Sequence, residues 1–400
     1  MGQNGRAAWR DVPRGVWTLG FVSMFMDVSS EMIHAVLPLY LVSAFGASAL
    51  VVGAIEGVAE ATAAFVKVFS GALSDFFGRR KLPAALGYGL AAFTKPVFPL
   101  APSLGWIVGA RFLDRVGKGI RGAPRDALIA DITPSDQRGA SFGLRQALDT
   151  IGAVAGPLVA MVALAATAGD YAFVFWLAVA PAFVSFAVMA FVVKEPPGAV
   201  RRPARFPLRS VEIARLPRAY WIVVAVASAL TLARFSEAFL LLKAQHVGLP
   251  AYIAPVALVL MNLVYAATAY PVGAWSDGDG ARPRVLLFGV ALLVAADVAL
   301  AFSASVWGLA LGAALWGLHM AFTQGLLSAL VADHAPPTLR GTAFGVFNVA
   351  TGFALLAASL IAGGLWDAVG PKATFLAGAA FAAFSLAGLA WAMRMARPKG

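Results

Sequence analysis

The sequence predicts an all-α membrane protein whose twelve transmembrane helices form two pseudo-symmetric six-helix bundles. Three observations support this prediction: the composition, the distribution of basic residues along the chain, and a repeat at a fixed offset. Of the 400 residues, 60% are hydrophobic and only 13% are charged. A soluble protein of this size needs a more polar surface, so the chain must be embedded in lipid.

Apolar segments follow one another along the whole chain, separated by short polar connections. Each is about 20 residues or longer, the length that a helix needs to cross a bilayer core of about 30 Å. The twelve predicted spans are 16–44, 49–74, 82–101, 104–130, 139–165, 171–193, 219–246, 251–275, 284–302, 306–332, 341–366 and 372–393.

The basic residues lie in alternate connections, so membrane topology explains the formal charge of +11 better than a nucleic-acid-binding patch does. The two terminal segments are basic, and so are the connections that carry Arg79, Arg80, Lys81, Arg138, the segment 201–218, Arg282, Arg284 and Arg340. The opposite connections contain no Lys or Arg except Lys372. Because basic residues favour the cytoplasmic side, we expect both termini in the cytoplasm and a multi-pass protein of the bacterial inner membrane.

A repeat divides the chain into two similar halves. A shift of 202 positions aligns GALSD (71–75) with GAWSD (273–277), and ADITPSDQRGASFG (130–143) with ADHAPPTLRGTAFG (332–345). Two matches at one offset indicate an internal duplication. We therefore expect an N-terminal bundle in residues 1–193, a basic, proline-containing cytoplasmic linker at 194–218, and a C-terminal bundle in 219–400.

Three motifs identify a resemblance to the major facilitator superfamily of transporters. GALSDFFGRRK (71–81) resembles its loop after the second span, and RVGKGIRG (115–122) resembles its Arg-x-x-Gln-Gly pattern, with Lys118 in place of Gln. Glycines of the fifth span that end in Gly156 and Pro157 resemble the pattern of its antiporters. The resemblance covers essentially the whole chain. It implies the major facilitator fold, alternating access, and export of a drug-like or small organic solute in exchange for protons.

Gating residues follow from the same motifs. An acid at a helix end can accept charge-assisted hydrogen bonds that break and re-form during a transport cycle. In the resemblance, the segment around Gly156 and Pro157 prevents leakage. The alternatives are cytoplasmic anchoring for the bases and helix packing for the glycines. The gating candidates are Gly71, Asp75, Arg79, Arg80, Asp277, Gly156 and Pro157.

Ionisable side chains recur on single faces of the predicted spans. In DVSSEMIH (27–34), Asp27, Glu31 and His34 fall within about 60° of one another around a helix. Charges near the bilayer midplane are costly unless they are paired or hydrated, so the N-terminal half must enclose a polar cavity or an ion-pair network. The other sets are Glu56, Glu60 and Lys67; Asp114, Lys118, Arg121 and Arg125; and Arg145 and Asp149.

Carboxylates in a partly dry cavity can link protonation to helix arrangement. Asp27 and Glu31 are the first candidates for proton coupling, and Glu56 and Glu60 are the second. The alternative is permanent pairing, since the first five spans hold similar numbers of acids and bases. The arginines would suit an anionic substrate and the carboxylates a cationic one. The substrate-binding candidates are Asp27, Glu31, His34, Arg115, Lys118, Arg121, Arg145, Asp149, Arg234 and Glu237.

Four functions remain open, led by a proton-coupled exporter. The others are an importer of an organic anion, sugar or siderophore, a non-transporting membrane assembly factor, and a divalent-metal exporter using the donors of Asp27, Glu31 and His34. With no cysteine, no triad-like set and no phosphate-binding loop, we expect no enzyme activity, cofactor or resident metal. The expected partners are a small-molecule substrate, protons and the lipid bilayer, with no nucleic acid, and we expect a monomer.

Overall fold

The computed structural model describes residues 12–77, 79–134, 137–195, 210–276, 282–336 and 339–395, and these residues contain no β-strand. Twelve transmembrane helices, numbered here by span, coincide with the twelve predicted spans to within a few residues. This confirms the predicted all-α membrane fold. The helices are α1 Arg14–Phe45, α2 Ala49–Phe77, α3 Lys81–Thr94 with Val97–Leu100, α4 Leu104–Ile132, α5 Arg138–Ala166, α6 Tyr171–Ala187 with the π-helical turn Val188–Val192, α7 Arg218–Ala233 with Ala238–His246, α8 Val256–Ser276, α9 Arg282–Phe302, α10 Val306–His334, α11 Arg340–Ala368 and α12 Pro371–Met395.

Among the described residues, ten of these helices are long and apolar enough to cross a membrane by length and composition alone. The two exceptions have physical reasons. α3 is interrupted at Lys95 and Pro96, because proline cannot donate a backbone hydrogen bond within a helix. α4 carries too many charges, including Arg111, Asp114 and Arg115, and these three side chains are buried in protein.

The chain separates into two compact units. Unit 1 consists of the described parts of Met1–Ile33 and Val66–Phe206, and unit 2 of the described parts of His34–Phe65 and Pro207–Gly400. The first two helices therefore contribute to both units. Residues 34–65 group with unit 2, whereas the sequence predicts a boundary at 194–218. The division into bundles 1–193 and 219–400 stays a prediction.

The core of unit 1 is formed by apolar residues of α1, α3, α4 and α6, such as Leu19, Tyr88 and Ile129. Glycine brings α3 and α4 together: a Cβ atom placed on Gly87 or on Gly117 would lie 2.7 Å from the other residue's carbonyl oxygen. Small residues allow helix backbones to approach this closely. The approach fixes the charged face of α4 inside the unit.

The core of unit 2 joins α7, α9, α10 and α12 around residues such as Leu230, Leu293 and Leu327. A second cluster packs α7 against α10 and α11, where Tyr220 Oη donates a hydrogen bond of 2.8 Å to the carbonyl oxygen of Ala343. α7 is broken between Ala233 and Ala238. This break places Arg234 and Glu237 on irregular backbone at the level of the core.

Candidate functional site

The acidic face of α1 packs directly on glycines of α5. A Cβ atom on Gly152 would lie 2.8 Å from the carbonyl oxygen of Met24 and 2.9 Å from Cβ of Asp27. One turn further along α5, a Cβ atom on Gly156 would lie 2.7 Å from Cβ of Glu31. Any larger side chain here would push α1 away. The antiporter-like glycines and the first two acids of DVSSEMIH therefore lie at one helix contact.

Ion pairs extend from this contact into α4 and α5. Arg145 Nη1 lies 2.9 Å from Asp149 Oδ2 and 3.7 Å from Asp126 Oδ1, and Arg125 Nη2 lies 3.0 Å from Asp126 Oδ1. Asp27 interacts electrostatically with Asp149, Glu31, Arg121 and Arg125. We call this set the charged network: Asp27, Glu31, Arg121, Arg125, Asp126, Arg145 and Asp149.

The charged network is not fully sealed. Asp27 and Glu31 are half-buried, and the Asp126 side chain is 33% exposed. Lys67 and Lys118, whose side chains are exposed, stand beside it, and Lys67 interacts electrostatically with Asp126. Charged groups avoid lipid and face the bundle interior or water. We therefore expect this face of unit 1 to avoid lipid.

A second charged cluster in unit 1 is almost completely buried. Lys95 Nζ lies 2.9 Å from Asp114 Oδ1 and donates a hydrogen bond of 3.1 Å to Ser30 Oγ. Arg115 Nε and Arg111 Nη1 lie 3.7 Å and 4.0 Å from Asp114 Oδ2. The side chains of Lys95, Asp114, Arg111 and Arg115 are each at most 2% exposed. The substrate-binding candidate Arg115 thus lies in a closed ion-pair cluster.

Arg121 lies between the two groups. It is buried, with its guanidinium carbon 5.0 Å from the centre of the Tyr88 ring. It interacts electrostatically with Asp27 of the charged network and with Asp114 of the closed cluster. A movement of α4 would therefore change the field at both acids.

His34, the third member of the predicted α1 set, is paired with an acid of α2. His34 Nδ1 lies 3.4 Å from Glu56 Oε2 within unit 2, and both residues are buried. Glu60 follows one turn later and is half-buried. The structure therefore joins His34 to Glu56, one of the second pair of proton-coupling candidates, while Asp27 and Glu31 belong to the network of unit 1.

In unit 2, the predicted pair Arg234 and Glu237 lies at the break in α7. Arg234 interacts electrostatically with Glu237 and Tyr265, and also with His319 of α10. His319 is fully buried, and its Nδ1 lies 2.8 Å from the carbonyl oxygen of Gly289. The break thus brings polar groups of α7, α8 and α10 into one neighbourhood.

An ion pair between the ends of neighbouring helices occurs twice, at the repeat offset. Arg80 Nε lies 3.4 Å from Asp131 Oδ2 in unit 1, and Arg282 donates a hydrogen bond to Asp333 in unit 2. Arg80 also donates to Ser74 Oγ at 3.0 Å. Each member of one pair is 202 positions from its counterpart in the other. This agrees with the predicted internal duplication.

The other gating candidates vary in what the structure describes. Arg79 is exposed, and Pro157 is buried within α5, which continues through it. The side chains of Gly71 and Asp75 lie outside the described residues, as does the whole of Asp277.

Two features of α2 escape the sequence prediction. The carboxylate of Asp367 on α11 accepts hydrogen bonds of 2.9 Å from the backbone N–H groups of Ala49 and Leu50. Further along, Gly57 packs on α11, where its Cβ atom would lie 3.1 Å from Cβ of Ser359. The spacing of Gly53 and Gly57 in GAIEG is a small-x-x-x-small pattern that could have indicated this helix contact. No sequence pattern indicates Asp367 as a cap.

These features define the class of protein. An all-helical chain that crosses a membrane many times and keeps charged residues inside a helix bundle has the construction of a membrane transporter. The sequence model of the Major Facilitator Superfamily matches residues 19–264 and 238–400. The chain belongs to this superfamily, whose members are transporters and not enzymes.

The chain is 34% identical over 384 residues to an uncharacterised MFS-type transporter of Methanocaldococcus jannaschii, with 94% of each chain covered. It is 28% identical over 168 residues to the multidrug resistance protein MdtH of Photorhabdus laumondii, covering 40% of this chain and 39% of that protein. The crystal structure of a POT family transporter in complex with a thioalcohol-conjugated peptide superimposes with a TM-score of 0.83 at 12% identity, covering 96% and 97% of the two chains. At that identity the likeness shows the fold alone.

Proposed function

We propose that this protein is a proton-coupled secondary transporter that exports a drug-like or small organic solute by alternating access, with Asp27 and Glu31 as its proton-coupling residues. We place it in the bacterial inner membrane with both termini in the cytoplasm. The observation that supports the proposal most directly is the position of Asp27, half-buried on α1 between the glycines of α5 and the bases of α4.

The arrangement around Asp27 suits a proton-dependent switch. Two opposite influences act on Asp27: the negative charges of Asp149 and Glu31, and the positive charges of Arg121 and Arg125. The two influences come from different helices, so a movement of α4 relative to α1 changes their balance. Protonation and helix arrangement are then linked, as coupled transport requires.

Two polar atoms of the charged network can form further hydrogen bonds. Asp149 Oδ1 and Arg145 Nε have no hydrogen-bond partner among the described residues. Buried polar groups are normally satisfied, so a partly satisfied network is expected where pairings change during a cycle. This favours a solute-binding or proton-transferring role for Arg145 and Asp149 over a permanent ion pair.

Export is the direction that the relatives support. Similarity to a multidrug resistance protein favours an exporter of drug-like solutes. The contact of Gly152 and Gly156 with the acidic face of α1 gives the antiporter-like pattern a physical role, because it seals α1 against α5 without side chains between them.

The test is transport in proteoliposomes under an imposed proton gradient. The panel comprises a lipophilic cationic dye, an organic anion and a divalent metal, each added on either side of the membrane. Asp27→Asn and Glu31→Gln should abolish accumulation driven by the gradient while retaining exchange without a gradient. Asp170→Asn is the matched control: Asp170 caps α6, and Asn caps a helix about as well. If both α1 variants transported at the parental rate and still responded to the gradient, the assignment of proton coupling to Asp27 and Glu31 would be wrong.

The same assay separates the alternatives. An importer would accumulate the anion in the opposite orientation, and an assembly factor would transport none of the probes. A metal exporter would respond to the divalent ion, but His34 is paired with Glu56, and no group of three or more His, Asp or Glu in the described chain could hold a metal. The structure therefore offers less support for that alternative than for an organic solute.

A further inference from the structure

Asp297 of α9 is an acid that the proposed coupling site does not use. It is fully buried, and neither of its carboxyl oxygens has a hydrogen-bond partner among the described residues. Asp114, another buried carboxylate, is by contrast surrounded by bases. An isolated ionised carboxylate in such surroundings is too costly to keep, so the group must carry a proton or hold a cation.

The surroundings of Asp297 are aromatic and apolar. A Cβ atom placed on Gly378 of α12 would lie 2.5 Å from Asp297 Oδ2 and 2.9 Å from Cε1 of Phe235, so Phe235 and the carboxyl group cover the same glycine. The Phe235 ring centre lies 5.3 Å from that of Trp316 and 5.4 Å from that of Phe375. Phe235, the ring beside the carboxyl group, thus belongs to an aromatic cluster.

The titratable groups on the neighbouring helices are directed elsewhere. Arg234, at the break in α7, interacts with Glu237, with Tyr265 of α8 and with His319 of α10. Lys372 of α12 lies over the Phe302 ring at 4.3 Å. His319 also has a buried atom without a hydrogen bond: its Nε2 has no partner in the described chain. No base on these helices is bonded to Asp297 in the part of the chain that is described.

A proton fits this site better than a metal ion. A hard cation requires several oxygen ligands, and no group of three or more His, Asp or Glu among the described residues could hold one. A neutral carboxyl group costs far less to bury without a partner than a carboxylate does. The two oxygens of Asp297, beside a glycine and a phenyl ring, therefore suit a proton and not a metal ion.

Phe235 gives the site a route for opening. It lies in the non-helical segment between Ala233 and Ala238, where backbone angles can change without breaking a helix. Such segments are where hinge movements in transporters and enzymes concentrate. A rotation of this segment would move the ring away from the carboxyl group and admit water.

We propose that Asp297 of unit 2 is a second proton-binding site. Phe235 closes this site, and Asp297 exchanges its proton when the break in α7 moves. This inference rests on the proposed function as a proton-coupled transporter and extends it to a residue outside the charged network. The site takes up one proton as the neutral carboxyl group forms and releases it as the carboxylate meets water.

The experiment is infrared spectroscopy of the purified full-length protein, with protons as the only ligand. The stretching band of a protonated carboxyl group in an apolar environment should be present in the parent, disappear at alkaline pH and be lost in Asp297→Asn. Asp333→Asn, which removes a half-exposed carboxylate, is the control and should leave the band unchanged. A band that persists unchanged at every pH, or that is absent from the parent, would overturn the inference.

Exchange kinetics test the role of Phe235. After transfer to D2O, the band should shift slowly in the parent and at least several-fold faster in Phe235→Ala. Equal rates would eliminate Phe235 as the closing group. Should Asp297→Asn fail to fold, Asp297→Glu keeps the acid and should move the band without removing it. These readouts need neither substrate nor gradient, so they can fail while the Asp27 assay succeeds, and the reverse.

Discussion

Asp367 of α11 holds the first turn of α2 by accepting a hydrogen bond of 2.9 Å from the backbone N–H of Ala49. Its second oxygen accepts one from the next N–H group, at Leu50. The first N–H groups of a helix have no partner within the helix, and a carboxylate there also benefits from the helix dipole. Gly363 lies at the same contact, where its Cβ atom would be 2.6 Å from the carbonyl oxygen of Ala49. A transporter that alternates between states needs contacts of this kind, which are directional and can be remade.

We predict that Asp367→Asn loosens the contact of α2 with α11. The variant loses the charge and one acceptor, at a cost of about 1 kcal/mol, or about fivefold in an opening equilibrium. Because the chain has no cysteine, Val52→Cys provides a clean reporter at a fully buried position of α2. Maleimide labelling of that cysteine should be about fivefold faster with Asp367→Asn and unchanged with the capping control Asp170→Asn. An unchanged rate with Asp367→Asn would show that the cap does not limit opening.

Gly152→Ala and Gly156→Ala should both destabilise the protein. Each new methyl group would meet α1 at less than 3.0 Å, against backbone oxygen in both cases, so the helices must separate. Overpacking of this kind costs about 1–3 kcal/mol. Thermal unfolding in detergent measures the effect, and passive proton leak in liposomes measures the seal.

The matched control is Gly143→Ala on the same helix, where a Cβ atom would meet nothing within 4 Å. It should be neutral or slightly stabilising, since alanine favours helix more than glycine does. If all three substitutions behaved alike, close packing of α1 on α5 would not explain the glycines.

The closed cluster around Asp114 predicts an order of severity. Asp114→Asn leaves Lys95, Arg111 and Arg115 buried without their shared carboxylate, which should cost about 3–5 kcal/mol. Lys95→Met removes one of three bases and should cost clearly less. The free energies of unfolding of the two variants test this order. The control is Lys67→Met, a substitution at an exposed position. A larger loss for Lys95→Met than for Asp114→Asn would contradict the described geometry.

The ion pair of Arg282 with Asp333 at the helix ends predicts a weak but specific coupling. Arg282 and Asp333 are 36% and 51% exposed, so their pairing should contribute only about 0.2–1 kcal/mol. Reversing either charge alone should reduce stability slightly, and the double exchange Arg282→Asp with Asp333→Arg should restore it. A double-mutant cycle on unfolding, repeated in high salt, isolates the coupling. Full additivity of the two single changes at low salt would argue against the pair.

The sequence predicted the helices well because lipid imposes a strict rule on composition and length. A span such as 306–332 corresponds to Val306–His334 in the structure, since about 20 apolar residues and flanking polar ones leave little freedom. It predicted the shared face of Asp27 and Glu31 equally well, because helical periodicity alone sets it. His34 shows where that reasoning ends: it lies on the predicted face, yet the approach of α2 pairs it with Glu56.

By itself, the sequence determined that the chain crosses a membrane as twelve helices and that charged residues must avoid lipid, and it predicts two related halves. These follow from local composition, periodicity and repetition. Only the tertiary structure decided which charges are closed off, as at Asp114, which are exposed, as at Lys118, and which have no partner among the described residues, as at Asp297. The reason is that the energy of a charge depends on the groups around it, and those groups come from distant parts of the chain.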